Sequence, residues 1–144
     1  MTPFRFRLDR VLEWYEDQLQ REENRLAGCR DAVSRAQRAL DQTRTVRSGV
    51  ENALLHSSSI PSADLRALET FRLKSREDEK RLIAEFHAAE SKVQAQLSIV
   101  KLTNQKVRLL EKLRERRRSE HTYAVNRELE ELAADTYLAR FNTR

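Results

Sequence analysis

From Ser62 to Arg144 the sequence holds neither glycine nor proline, and that absence narrows the folds open to it. Sheets and α/β folds turn on residues that tolerate unusual backbone angles. The chain of 144 residues has two glycines and two prolines in all. Pro3 stands just inside the start, where a missing N–H costs a helix nothing. Pro61 closes the one loop-like run, His56-Ser57-Ser58-Ser59-Ile60. It disfavours helix at Ile60, and Ser62 is a suitable N-cap for a second helix. The punctuation predicts one domain: a first helix over about 4–55, a loop over about 56–62 and a second helix over about 63–140. A Rossmann fold, a β-barrel and a disulfide scaffold are excluded.

Composition agrees. Charged residues are 35% and hydrophobic residues 39% of the chain, a profile of long helices and coiled coils. Stepping by four and three from Leu8 meets Leu12, Tyr15, Leu19, Glu22, Leu26, Cys29, Val33, Ala36, Leu40, Thr43, Arg47, Val50 and Leu54. Eleven of these fourteen positions are apolar, which is a coiled-coil stripe. The second segment carries its own stripe in Leu65, Leu68, Leu82, Phe86, Ala89, Val93, Val100, Val107 and Leu110.

An antiparallel hairpin pairs residues whose numbers add to a constant. Leu12 with Val107, Leu19 with Val100, Leu26 with Val93, Val33 with Phe86 and Leu54 with Leu65 all give 119. The alternate layers give 118: Leu8 with Leu110, Cys29 with Ala89, Ala36 with Leu82 and Val50 with Leu68. Polar positions align too, Glu22 with Gln96 and Thr43 with Ser75. One register serves both stripes. It predicts an all-α, antiparallel two-helix coiled-coil hairpin.

The register carries two further expectations. Leu40 opposite Glu79 and Arg47 opposite Arg72 would pack poorly unless the heptad phase slips to bring Val46 against Leu73. Phe71 would then face outward. Residue 4 would meet about residue 115, so the longer second helix would project past the N-terminus by ~35–40 Å. On that projection Tyr123, Val125, Leu129, Leu132, Ala133, Tyr137, Leu138 and Phe141 recur at helical spacing without an intramolecular partner. Apolar groups so placed mark a binding surface.

Nothing in the pattern predicts catalysis. The histidines, His56, His87 and His121, are far apart, and neither a metal-ligand motif nor a glycine-rich phosphate loop occurs. A two-helix hairpin also lacks a concave pocket for tuning a pKa. No cofactor, metal or small-molecule substrate is expected. Cys29 is alone and suits a reducing compartment. No apolar run approaches the ~18 residues of a membrane span, and MTPFRFRLDR is charged where a secretory signal would be apolar. A cytoplasmic protein is expected.

The densest charge feature is Lys112-Leu113-Arg114-Glu115-Arg116-Arg117-Arg118. Nucleic acid is disfavoured as its partner, because no aromatics interleave with the cations and the whole chain is only +5. A solvated helix face or a dock for an acidic protein surface fits better. A nucleic-acid-binding arm over 106–118 and a homodimeric coiled coil are the readings from other classes.

Taken together, FRFRLDRVLEWYE at the start, two long helices about a polar break, LLEKLRERRRSE and the closing RELEELAADTYLARF resemble the FliJ family of flagellar type III export proteins. Where that family commonly has an Asp-Glu pair, this chain has Glu130-Glu131 before Leu132-Ala133. The resemblance implies a cytoplasmic component, peripheral at the inner-membrane export apparatus. Such a component is a stalk-like coiled coil that inserts into the hexameric export ATPase and promotes its assembly. It also contacts the cytoplasmic part of the export gate and handles export chaperones. The matching stalk protein of a virulence injectisome is the alternative within the same class. On this reading Arg114, Arg116, Arg117 and Arg118 meet acidic groups on the ring, Leu129, Leu132 and Tyr137 dock apolar surface, and Phe71 contacts the gate.

Overall fold

The computed structural model describes residues 2–142. Two helices make up most of them, α1 over Asp9–Leu55 and α2 over Ser62–Asn142. They pack against each other as an antiparallel all-α hairpin, with 47 residues in the first helix and 81 in the second. No strand occurs among the described residues.

The turn between the helices is closed by short-range bonds. The His56 and Ser57 amides donate to the carbonyls of Asn52 and Leu54, and His56 Nδ1 donates to the Asn52 carbonyl at 2.7 Å. On the far side the Pro61 carbonyl accepts from Asp64 at 3.0 Å and from Leu65 at 3.2 Å. Pro61 therefore takes the capping position expected of Ser62, which is the first helical residue. Asp64 lies in the first turn of α2, where a carboxylate meets the positive end of the helix dipole.

The expected start of the first helix, near residue 4, is corrected: residues 2–8 are not helical. Phe4-Arg5-Phe6-Arg7-Leu8 alternates with a period of two. Residues two apart do not share a helix face, whereas an extended segment puts both phenylalanines on one side. The non-helical course buries Phe6 to 8% exposure. Leu8, expected in the core, is 37% exposed, because it ends this segment rather than entering the heptad stripe of α1.

Contacts gather into two compact units, Met1–Arg21 with Lys101–Arg144, and Glu22–Val100, where the sequence reads as one domain. In a two-helix pair each residue touches only what lies beside it, so local groupings separate readily.

In the first unit Leu12 and Val107 are both buried, Leu12 to 1% exposure. Leu19 and Leu110 are half-buried. Lys106 Nζ lies 5.5 Å from the centre of the Tyr15 ring, a cation–π contact. Arg114 reaches Asp9 at 3.9 Å.

In the second unit Leu26 and Leu40 are buried, and Val33, Leu54, Leu82, Phe86, Val93 and Val100 are half-buried. Leu65 departs from its expected core place at 49% exposure; it sits in the first turn of α2, beside the loop. The expected polar layer forms: Gln96 Nε2 donates to the Glu22 carbonyl at 3.1 Å and also to the Glu22 carboxylate.

The layers expected to pack poorly resolve themselves differently. Val46 and Leu73 both stay exposed, so the phase slip does not bring them together. Instead Glu79 accepts from Arg44 Nε at 2.8 Å and from Arg47 Nη1 at 2.5 Å. Arg72, freed from facing Arg47, reaches Glu51 at 3.4 Å. Phe71, expected outward, is half-buried. It lines a hollow of about 430 Å³ with Thr43, Val46, Ser75 and Leu82. Ser75 is buried.

The Glu79 clamp carries a pH signature. The hydrogen bonds from Arg44 and then Arg47 favour its charged form and hold its pKa below the ordinary 4.5. A carboxylate lowered on folding stabilises the native state at neutral pH and loses that contribution as pH falls through 4.5 toward the folded value. Glu79→Gln is expected to lower the thermal midpoint at pH 7. Its midpoint should also fall less than that of the parent chain between pH 6 and pH 3.5. Parallel midpoints across that range would show that the clamp adds no acid-sensitive stability.

Candidate interaction surface

The first unit carries the residues that the sequence singles out for binding, and three pieces of it lie in order along α2. The first is the non-helical segment 2–8, which turns at Arg7 and Leu8. It runs beside Leu113, Arg117 and His121, and His121 Nε2 donates to the Thr2 carbonyl at 3.1 Å. The Phe4 and His121 rings lie 5.6 Å apart, tilted at 57°. Thr2 thus meets α2 at residue 121, a turn further along than the helical register would place it.

The second piece is the basic run. Arg114 and Arg117 have acidic neighbours, Asp9 at 3.9 Å and Glu120 at 3.0 Å. Both pairs are solvent-exposed and contribute little to stability. Arg116 and Arg118 are exposed and make no ion pair among the described residues, and the same holds for Arg5, Arg7 and Lys112. Positive charge is therefore left free where the extended segment and the run come together.

The third piece is α2 beyond His121, which has no second helix beside it in this unit. Tyr123, Leu129, Leu132, Tyr137, Leu138 and Phe141 are all exposed, Leu132 to 62%. Tyr137 and Phe141 lie one turn apart with their rings tilted at 42° and centres 5.8 Å from each other. Arg127 and Glu131 pair at 3.0 Å on the same helix. Exposed Leu, Tyr and Phe side chains in one segment are the composition of a protein-binding face.

No protein-family model, curated protein or solved structure matches this chain. The surface is therefore read from its own geometry and from the sequence. Phe71 belongs to the second unit. Among the described residues no three His, Cys, Asp or Glu side chains converge as metal ligands. No described helix is long and apolar enough to cross a membrane.

Sequence reasoning misses two features. It places Arg5 and Arg7 in a helix, although the period-two alternation of Phe4, Phe6 and Leu8 is the signal that separates this segment from α1. It also passes over Trp14, which stands 56% exposed on α1 with its ring 4.9 Å from that of Tyr15.

Proposed function

We propose that this chain is a non-enzymatic, stalk-like coiled coil of a bacterial flagellar type III protein export apparatus. It binds the hexameric export ATPase, promotes its assembly and activity, and links it to the export gate and the export chaperones. It works in the cytoplasm, peripheral at the inner membrane. The observation that carries the reading is the order of features on α2: a basic run in which Arg116 and Arg118 make no ion pair among the described residues, then a stretch that exposes leucine and tyrosine with no second helix beside it among the described residues. The resemblance of the sequence to the FliJ family supports it. The injectisome stalk has the same requirements and is the alternative.

On this reading the exposed apolar side chains Leu129, Leu132 and Tyr137 anchor the contact with the ring. Arg114, Arg116, Arg117 and Arg118 face acidic groups around them. Exposed charges at the rim of an interface act mainly on association rate and salt dependence. The hollow beside Phe71 is where the gate would bind.

The test is the hydrolysis rate and assembly state of the cognate export ATPase with and without this protein. Stimulated turnover with a hexamer-sized species is the expected result. Replacing Arg114, Arg116, Arg117 and Arg118 together by alanine should slow association by about tenfold or more at low salt and flatten its salt dependence. Unchanged binding across the salt series would remove the arginines from the contact. Failure of a competent ATPase to bind the parent chain would overturn the proposed function itself.

A further inference from the structure

Residues 2–8 do more than cover α2: they enclose a cleft of about 710 Å³ against it. That volume lies within the range of ligand-binding clefts. Its walls divide by chemistry. Phe4, Phe6 and Leu113 supply apolar surface, and Arg5, Arg7 and Arg117 supply cations, with no carboxylate in the lining. We propose that this cleft is a docking site for an acidic peptide segment that carries an aliphatic anchor.

Charge complementarity selects the occupant. Residues 2–10 and 106–118 together hold ten Lys and Arg against three Asp and Glu, more net positive charge than the +5 of the whole chain. Arg5 and Arg7 have no ion-pair partner among the described residues. Arg117 has only the exposed pair with Glu120, which it can exchange for a carboxylate of the peptide at little cost. Guanidinium groups bind carboxylates through two parallel hydrogen bonds, and the apolar wall between them takes a leucine-sized side chain.

Other anionic surfaces fit less well. Single-stranded nucleic acid binds through aromatic faces on which bases stack. Here Phe6 is buried and the Phe4 ring lies against His121. A membrane surface needs apolar side chains that protrude, and these are recessed within a cleft.

The cleft shares Arg117 with the proposed ring contact, whereas Arg5 and Arg7 belong to the cleft alone. Peptide docking can fail while ATPase stimulation persists, and the reverse, so the two readings are separable.

The experiment is a titration of the full chain, labelled with ¹⁵N, with a blocked heptapeptide of alternating glutamate and leucine. Saturable shifts confined to the amides of residues 4–8 and 113–121 are expected. Binding should weaken by about tenfold or more for the same peptide with serine in place of leucine, and equally for the protein variant R5A/R7A. The variant R5K/R7K, which keeps charge but loses the paired hydrogen bonds, should recover part of the affinity. Circular dichroism checks that both variants keep the parent helicity. The proposal is overturned by an absence of saturation at millimolar peptide, by equal binding of the serine peptide, or by unchanged binding of R5A/R7A. Tighter binding of an oligothymidylate of equal charge at the same amides would also overturn it, in favour of nucleic acid.

Discussion

Replacing Leu12 by alanine is expected to cost about 2–5 kcal/mol, the largest stability loss available from one side chain here. Leu12 is the only large side chain below 2% exposure among the described residues. Most stripe positions on either helix remain half-buried, as two helices cannot enclose a side chain on every side. A truncation at Leu12 removes burial that no neighbouring layer can replace, and it leaves a cavity beside Val107, its partner in the 119 register. Urea unfolding monitored by circular dichroism is the measurement. Leu8→Ala serves as the contrast: Leu8 is 37% exposed, and its loss should be well under half as large. Equal losses at the two positions would mean that burial is not what stabilises this unit.

The second large effect concerns binding. Replacing Leu129, Leu132 and Tyr137 together by serine is expected to weaken ATPase binding by roughly a thousandfold. The figure comes from about 1.5 kcal/mol of apolar burial lost at each of three anchors. All three side chains are exposed in the chain alone, so its own unfolding midpoint should hardly move; exposed substitutions of this kind fall within about 0.5 kcal/mol. Affinity can be read by surface immobilisation of the ATPase and stability by thermal melting. Retained affinity in the triple variant would mean that the apolar end of α2 takes no part in the contact. A collapsed midpoint would show that these side chains are packed within the chain itself.

Periodicity accounts for the part of the fold that is legible in the sequence. Leu12, Leu26 and Val107 are buried where a seven-residue repeat puts them, and the Glu22 pairing with Gln96 comes from the same arithmetic. Arg44 and Arg47 converging on Glu79 do not, because long side chains reach a turn or more along a partner and no heptad count fixes where they end. Residues 4–8 merge into the first helix on a heptad count because Leu8 happens to begin the stripe, although the Phe-Arg-Phe-Arg alternation has a different period. Of the binding surface, the basic run and the apolar residues beyond it are legible as composition. The cleft is not, since it exists only because a non-helical segment lies against a helix.

The contact between Gln96 and Glu22 has a consequence for how the hairpin finds its alignment. A stripe that repeats every seven residues offers nearly the same apolar match when one helix slides a full repeat along the other. Leu19 and Leu26 still meet valine, now Val107 and Val100, when the helices slide seven residues one way, and hydrophobic burial there distinguishes the two states poorly. A shift of seven would set Gln96 opposite Cys29 or Tyr15 and take it from its acceptors on Glu22, which would keep only the Arg25 pair. Losing a hydrogen bond between half-buried polar groups costs stability, and a polar position in an apolar seam is a known means of fixing alignment. This layer therefore acts less as a bond holding the helices together than as a key that rejects the wrong notch.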